Sequence, residues 1–208
     1  MAYETEEQQV EAIKNFWKEN GTAIILGAVI GLGGLAGWVF YKDHKTAQAE
    51  AASTNYNEAL AAITAGQTEN PEFVAQAEAL IKEHPETSYA SMAALKLAQQ
   101  YVEQNKYTEA AEQLRWVADK GSSTFKALAQ IRLARVLLQL DQFAEAETVA
   151  KAIEFDAHKA TSLLLQGEAL LGQGKQDEAI AFYKQAKEAA DGAIEPMLAM
   201  RLTEFGIE

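Results

Sequence analysis

Three histidines, His44, His84 and His158, are the side chains that change charge most readily near neutral pH, so metal or proton chemistry is sought there first. None has a second histidine or a carboxylate at ligand spacing on a shared helical face. They read as one membrane-flank residue and two helix-end residues. Gly31-Leu-Gly-Gly-Leu-Ala-Gly37 lacks the Gly-Lys-Ser/Thr ending of a phosphate loop, and Gly172-Gln-Gly174-Lys175 has no Ser or Thr after its lysine. Ser122-Ser123 reads as a helix N-cap rather than a nucleophile. There is no cysteine, which excludes disulfides, thiolate chemistry and Cys-based metal sites. The many carboxylates sit on sequences that read as acidic, solvated helix faces. The expectation is a protein with no catalytic residues, no cofactor and no metal, and not an enzyme.

The elements that carry these residues are helical. In 208 residues there are only three prolines, and beyond position 42 the composition is dominated by Ala, Glu, Lys, Leu and Gln. Hydrophobic residues at 49% and charged ones at 23% exclude a disordered chain. The formal net charge of -12 repels phosphate backbones, so nucleic acid is not an expected partner.

One stretch differs from the rest. Residues 22–41 run without a charge for roughly 20 residues, the length that crosses a hydrocarbon core of about 30 Å. Trp38, Phe40 and Tyr41 close one end, Phe16 and Trp17 precede the other, and Lys42 follows as a snorkelling anchor. A cleaved signal peptide fits badly. Glu4, Glu6, Glu7, Glu11 and Glu19 make the preceding segment acidic, and charges separate the small-x-small site Ala47-Gln48-Ala49 from the apolar run. A buried core helix would seldom carry Gly27, Gly31, Gly33, Gly34 and Gly37. In lipid these glycines permit close helix approach, and Gly27, Gly31 and Gly34 share one face as a candidate membrane-helix contact; the alternative is ordinary membrane composition. Lys14 and Lys18 balance Lys42 and Lys45, so charge does not orient the span. Before it, Val10, Ile13, Phe16 and Trp17 form an apolar stripe that fits a membrane surface, a partner or a plain helical lead-in.

From Asp43 onward the spacing predicts helices over about 44–65, 72–83, 87–104, 107–119, 123–139, 143–154, 157–172, 175–190 and 195–205. Turn signals separate them: Gly66, Asn70-Pro71, His84-Pro85, Asn105, Gly121-Ser122-Ser123, Asp141 and Gly172 to Gly174. The helices recur in pairs. Ala98 with Ala110, Ala134 with Ala146, and Gly167 with Ala179 mark three copies offset by 36 and 33 residues, the tetratricopeptide pattern. The small residue in each first helix lets the second approach, and pairs that cannot bury their apolar faces alone stack into a solenoid. No copy has the usual tryptophan, and Gln166 replaces an expected leucine in the third.

The fold class expected is therefore all-α: one N-terminal transmembrane helix followed by a TPR-like helical-repeat solenoid. The domains are 1–21, the span 22–41 and a repeat domain 42–208, with a degenerate first pair 44–84, repeats at about 87–120, 123–155 and 157–190, and a cap helix 195–205. First helices of such pairs line the concave side. Counting from Ala98, Ala134 and Gly167 places Leu95, Gln99, Ile131, Arg135, Leu138, Leu164, Glu168 and Leu171 there, a candidate protein-binding groove with a mostly aliphatic floor. The competing reading is that 44–65 or 195–205 covers these aliphatics.

The order of parts resembles the YfgM family, the ancillary subunit of the bacterial Sec translocon, over essentially the whole chain. The residues are Gln9-Val10-Glu11-Ala12, Phe16 and Glu19-Asn20-Gly21 before the span, then Leu97-Ala98-Gln99-Gln100, Leu133-Ala134-Arg135-Val136 and Gly167-Glu168-Ala169-Leu170-Leu171 in the repeats. The resemblance implies a bacterial inner-membrane protein with a short cytoplasmic N-terminal segment and a periplasmic repeat domain. It implies the SecYEG translocon and a PpiD-like periplasmic chaperone as partners, with translocating polypeptides as clients and lipid around the span. The implied task is to help pass secreted proteins to periplasmic chaperones. The alternative is a membrane-tethered envelope scaffold or regulatory protein holding one dedicated partner.

Overall fold

The computed structural model describes residues 6–62, 70–154, 156–190 and 194–206. Glu4 and the expected turn at Gly66 lie outside them, as do the side chains of Glu6 and Glu7. The described residues fall into two compact units that divide between Gln48 and Ala49.

The first unit is the greater part of α1 (Glu6–Ala61). The separate helices expected at 22–41 and from 44 onward are one continuous helix to Ala61, as is the lead-in before them, and residues 63–65 of the expected second helix lie outside the described residues. The sequence changes from apolar to charged at Lys42, but a change of solvent does not break a helix. A break calls for Pro or a turn residue, and neither Pro nor Gly lies between Trp38 and Ala61. The apolar run is long enough to cross a membrane, and none of it is buried. Leu32, Leu35, Trp38 and Phe40 are each about two-thirds exposed or more, which excludes the buried core helix. Lys45 places its ammonium 5.5 Å from the centre of the Tyr41 ring.

The second unit packs the last turns of α1 with α2 (Pro71–Glu83), α3 (Ser88–Glu103), α4 (Tyr107–Lys120), α5 (Ser123–Gln139), α6 (Phe143–Lys151), α7 (Lys159–Gly172), α8 (Gln176–Ala189) and α9 (Glu195–Glu204). The starts follow local chemistry. Asn70 accepts from the Phe73 N–H at 2.9 Å with Pro71 opening α2, and the Thr87 hydroxyl accepts from the Ala90 N–H at 3.2 Å. Ser122 takes the N-cap position of α5 with no side-chain cap bond. α6 ends three residues short of the expected 154. Its last turn tightens, with the Ile153 N–H bonded to the Ala150 carbonyl, and Ile153 is buried against Ile131 and Leu165.

The repeat is visible in the backbone as well as in the side chains. Asn105, Asp141 and Gly174 end α3, α5 and α7 with φ of 59°, 57° and 79°. In each case the next N–H, on Lys106, Gln142 or Lys175, reaches back five residues to the carbonyl of Tyr101, Leu137 or Leu170 at 2.8–3.0 Å. These are Schellman ends, and they turn every first helix into its partner in the same way. Ala98, Ala134 and Gly167 are buried, as are Ala110, Ala146 and Ala179. A Cβ at Gly167 would stand 2.5 Å from the Tyr183 ring, so contact between α7 and α8 requires glycine there. Leu97, Leu114 and Leu137 are fully buried, each contributing about 1.5–3 kcal/mol. Gln166 is accommodated in the core by hydrogen bonding. Its amide donates to the Ser162 hydroxyl at 3.1 Å, which donates to the Ala150 carbonyl at 2.8 Å, tying the end of α6 to α7.

The last turns of α1 share a core cluster with α2 and α3. Ala52 and Ala59 are buried with Phe73, Ala77, Leu80, Ala93 and Leu97, and the Tyr56 and Tyr89 rings lie 5.9 Å apart. The Asn70 amide, just before α2, donates to the carbonyl of Ala62, just after α1.

Candidate functional site

The side chains expected in the groove sort by their column in the repeat. Leu95, Ile131 and Leu164 precede Ala98, Ala134 and Gly167 by three residues, and all are buried, at 6%, 7% and 4% exposure. They belong to the core. Leu95 packs with Ala98, Leu114 and Leu133, Ile131 with Ile153 and Leu165, and Leu164 with Tyr183 and the Leu198 and Leu202 side chains of α9. Sequence periodicity identifies an apolar face but not which part of it the neighbouring pair covers. Leu138 and Leu171, four residues beyond the small position, are half-buried against the same clusters.

The open column is the one immediately after the small residue, and it is polar. Gln99 and Arg135 are exposed. Glu168 is engaged by α9: the Arg201 guanidinium donates to both its oxygens, at 2.7 and 3.2 Å, and to Glu204 at 3.0 Å. Burial, and after it the Glu168 carboxylate, pushes the neighbouring Tyr183 phenol well above its ordinary range. The cap helix therefore occupies the end of the face in the third pair.

Gln99 and Arg135 come together on one depression of about 460 Å³ between α3, α4 and α5. Ala98, Val102, Leu114 and Val136 form its apolar wall, and Gln99, Glu103, Arg132 and Arg135 its polar edge. The Gln99 amide donates to Glu103 at 2.9 Å and its oxygen accepts from Lys96 at 3.2 Å. Val102, Glu103 and Arg132 were missed from the sequence. Val102 was legible, since it stands four residues beyond Ala98 as Leu138 does beyond Ala134. Arg132 was not, because its column is set by the stacking of α5 on α3 and α4. Among the described residues no three His, Asp or Glu side chains are grouped to hold a metal ion.

Within α1, Gly27, Gly31 and Gly34 have nothing within 4 Å of where a Cβ would stand. Among the described residues nothing packs on them.

Stacked helix pairs with matching Schellman turns, in a chain whose described residues include one helix long and apolar enough to cross a membrane, define a tetratricopeptide-type repeat protein with a candidate membrane span. A family model described as a tetratricopeptide repeat-like domain matches residues 14–206. A protein of Escherichia coli (strain K12) named "Ancillary SecYEG translocon subunit" is 36% identical over 99% of this chain and 98% of its own length. Proteins of the same name from Aggregatibacter actinomycetemcomitans and Haemophilus influenzae are 33% and 26% identical, each over 99% of this chain and all of their own length. The chain belongs to the family of ancillary SecYEG translocon subunits.

Proposed function

We propose that this protein is an accessory, non-catalytic subunit of the SecYEG translocon in the inner membrane of a bacterium. Its α1 crosses the membrane once, with the N-terminus in the cytoplasm and the repeat domain in the periplasm. The repeat face binds partner proteins, a PpiD-like periplasmic chaperone among them, and the assembly helps pass secreted chains onward. The observation that carries this reading is identity of 36% along the full length to a relative named for that association. Lysine balance across the span leaves the orientation to the family. The test is affinity purification of the full chain from gently solubilised membranes. SecYEG and the chaperone are expected to co-isolate, and recovery of the chain without SecYEG overturns the proposal. Protease added to spheroplasts should digest the residues after Lys42 and spare those before the span.

A second reading has one observation in its favour. Among the described residues of the repeat unit, the exposed large hydrophobics are Val102, Met197 and Met200. So little open apolar surface suits a dedicated partner better than unfolded clients. Crosslinking in cells separates the two: translocating chains crosslinked to the repeat face support the hand-over role, and their absence supports a scaffold.

A further inference from the structure

The chain's arginines are Arg115, Arg132, Arg135 and Arg201. Two of them join elements: Arg115 of α4 pairs with Glu145 of α6 at 2.8 Å, and Arg201 of α9 with Glu168 of α7 at 2.7 Å. The other two behave differently. Among the described residues no carboxylate lies within 4.0 Å of Arg132 or Arg135, although the sequence holds 30 carboxylate residues against 18 Lys and Arg. Both are exposed, and they stand one turn apart on α5, on the edge of the same depression. Glu103, across that edge, is hydrogen-bonded to the Gln99 amide instead. Behind the guanidiniums lies a wall of Ala98, Val102, Leu114 and Val136, with Val102 37% exposed.

We infer that this depression takes a polypeptide segment in which acidic side chains flank an aliphatic one. Arg132 and Arg135 receive the carboxylates and the apolar wall takes the aliphatic side chain. The inference rests on the partner-binding reading above and gives the partner segment its chemistry. A guanidinium presents a planar fork of donors that matches a carboxylate in two bonds, which an ammonium cannot do. A depression of this volume suits the few side chains of a short segment rather than a whole helix. The net charge of the chain does not prevent docking, because at physiological salt it is screened beyond about 8 Å, whereas the two arginines act at contact.

The experiment uses the full chain in detergent and three labelled Ser/Gly-rich peptides with centres Glu-Leu-Glu, Gln-Leu-Gln and Glu-Ser-Glu, read by fluorescence anisotropy. The first should bind about tenfold tighter than either of the others. An Arg132→Gln, Arg135→Gln double variant should erase that preference, and an Arg132→Lys, Arg135→Lys variant should keep part of it. Both sites are exposed, so circular dichroism should be unchanged. Equal binding of the three peptides, or equal binding by wild type and the double Gln variant, overturns the inference. So does self-association of the wild type that the double Gln variant abolishes, since the occupant is then a second copy. SecYEG co-isolation is scored on the same preparations. Wild type that co-isolates SecYEG but binds no Glu-Leu-Glu peptide overturns the inference and leaves the accessory-subunit reading standing. Peptide binding without SecYEG does the reverse.

Discussion

Glycine serves opposite purposes in the two units. In the repeat unit its small size is used within the chain. A Cβ at Gly167 would stand 2.5 Å from the Tyr183 ring and 3.3 Å from the Ala179 carbonyl, and one at Gly172 would overlap the Phe143 ring. In α1, Gly27, Gly31, Gly33, Gly34 and Gly37 face open space. A glycine in a helix costs about 1 kcal/mol relative to alanine. At Gly167 that cost is offset by the approach of α8. In α1 nothing among the described residues offsets it.

Substitutions can break this comparison, and they rank by expected effect. Gly167→Leu should destabilise the repeat unit by about 3 kcal/mol or more, because neither the buried Tyr183 nor the α8 backbone can move aside cheaply. Thermal unfolding of the full chain in detergent measures it, and an unchanged Tm would mean that α7 and α8 do not meet closely there. Gly174→Ala should cost about 1 kcal/mol through backbone conformation alone, since φ is 79° and no side chain is near.

Tyr183, the neighbour of Gly167, gives a prediction in pH. Burial and the Glu168 carboxylate raise its pKa above the ordinary 10.0. Below pH 10 the folded and unfolded states both hold the proton and stability is flat. Above it the unfolded chain releases the proton while the folded one keeps it, so stability falls as pH rises. Tyr183→Phe should make that alkaline loss shallower; Tyr101 and Tyr56, which are shifted the same way, leave a residual slope. The smallest expected effect on folding is that of Gly31→Leu, which should leave the repeat-unit Tm unchanged. Reduced co-isolation of SecYEG by this variant would assign the glycine face to a helix contact, and equal co-isolation would assign it to lipid.

The pairing of helices was legible because its signals are local. Small residues at Ala98, Ala134 and Gly167 and turn residues at Asn105, Asp141 and Gly174 act within a few residues of themselves, and the helices from 71 onward begin and end close to where they were expected. Two features were less legible. The continuity of α1 was hidden by a change in side-chain polarity at Lys42 that has no backbone counterpart. The open surface was hidden because it depends on contacts between pairs. Leu95, Ile131 and Leu164 have the periodicity of a groove floor, yet the neighbouring pairs and α9 bury them. Arg132 and Arg135 are ordinary helix residues in sequence, and only the folded chain shows that among the described residues neither has a carboxylate within 4.0 Å, while Arg115 and Arg201 do.

The matching turns at Asn105, Asp141 and Gly174 also make the repeat unit editable. Each junction presents the same left-handed residue, the same reach back of five residues and the same N-cap backbone at Lys106, Gln142 or Lys175, with φ between -92° and -86° and ψ between 58° and 66°. Deleting residues 106–141 would join Asn105 to Gln142 across a junction whose backbone already exists at both parents. Duplicating them would insert one more pair the same way. The length of the repeat face is thus a quantity that recombination can change in whole steps, without inventing a new turn.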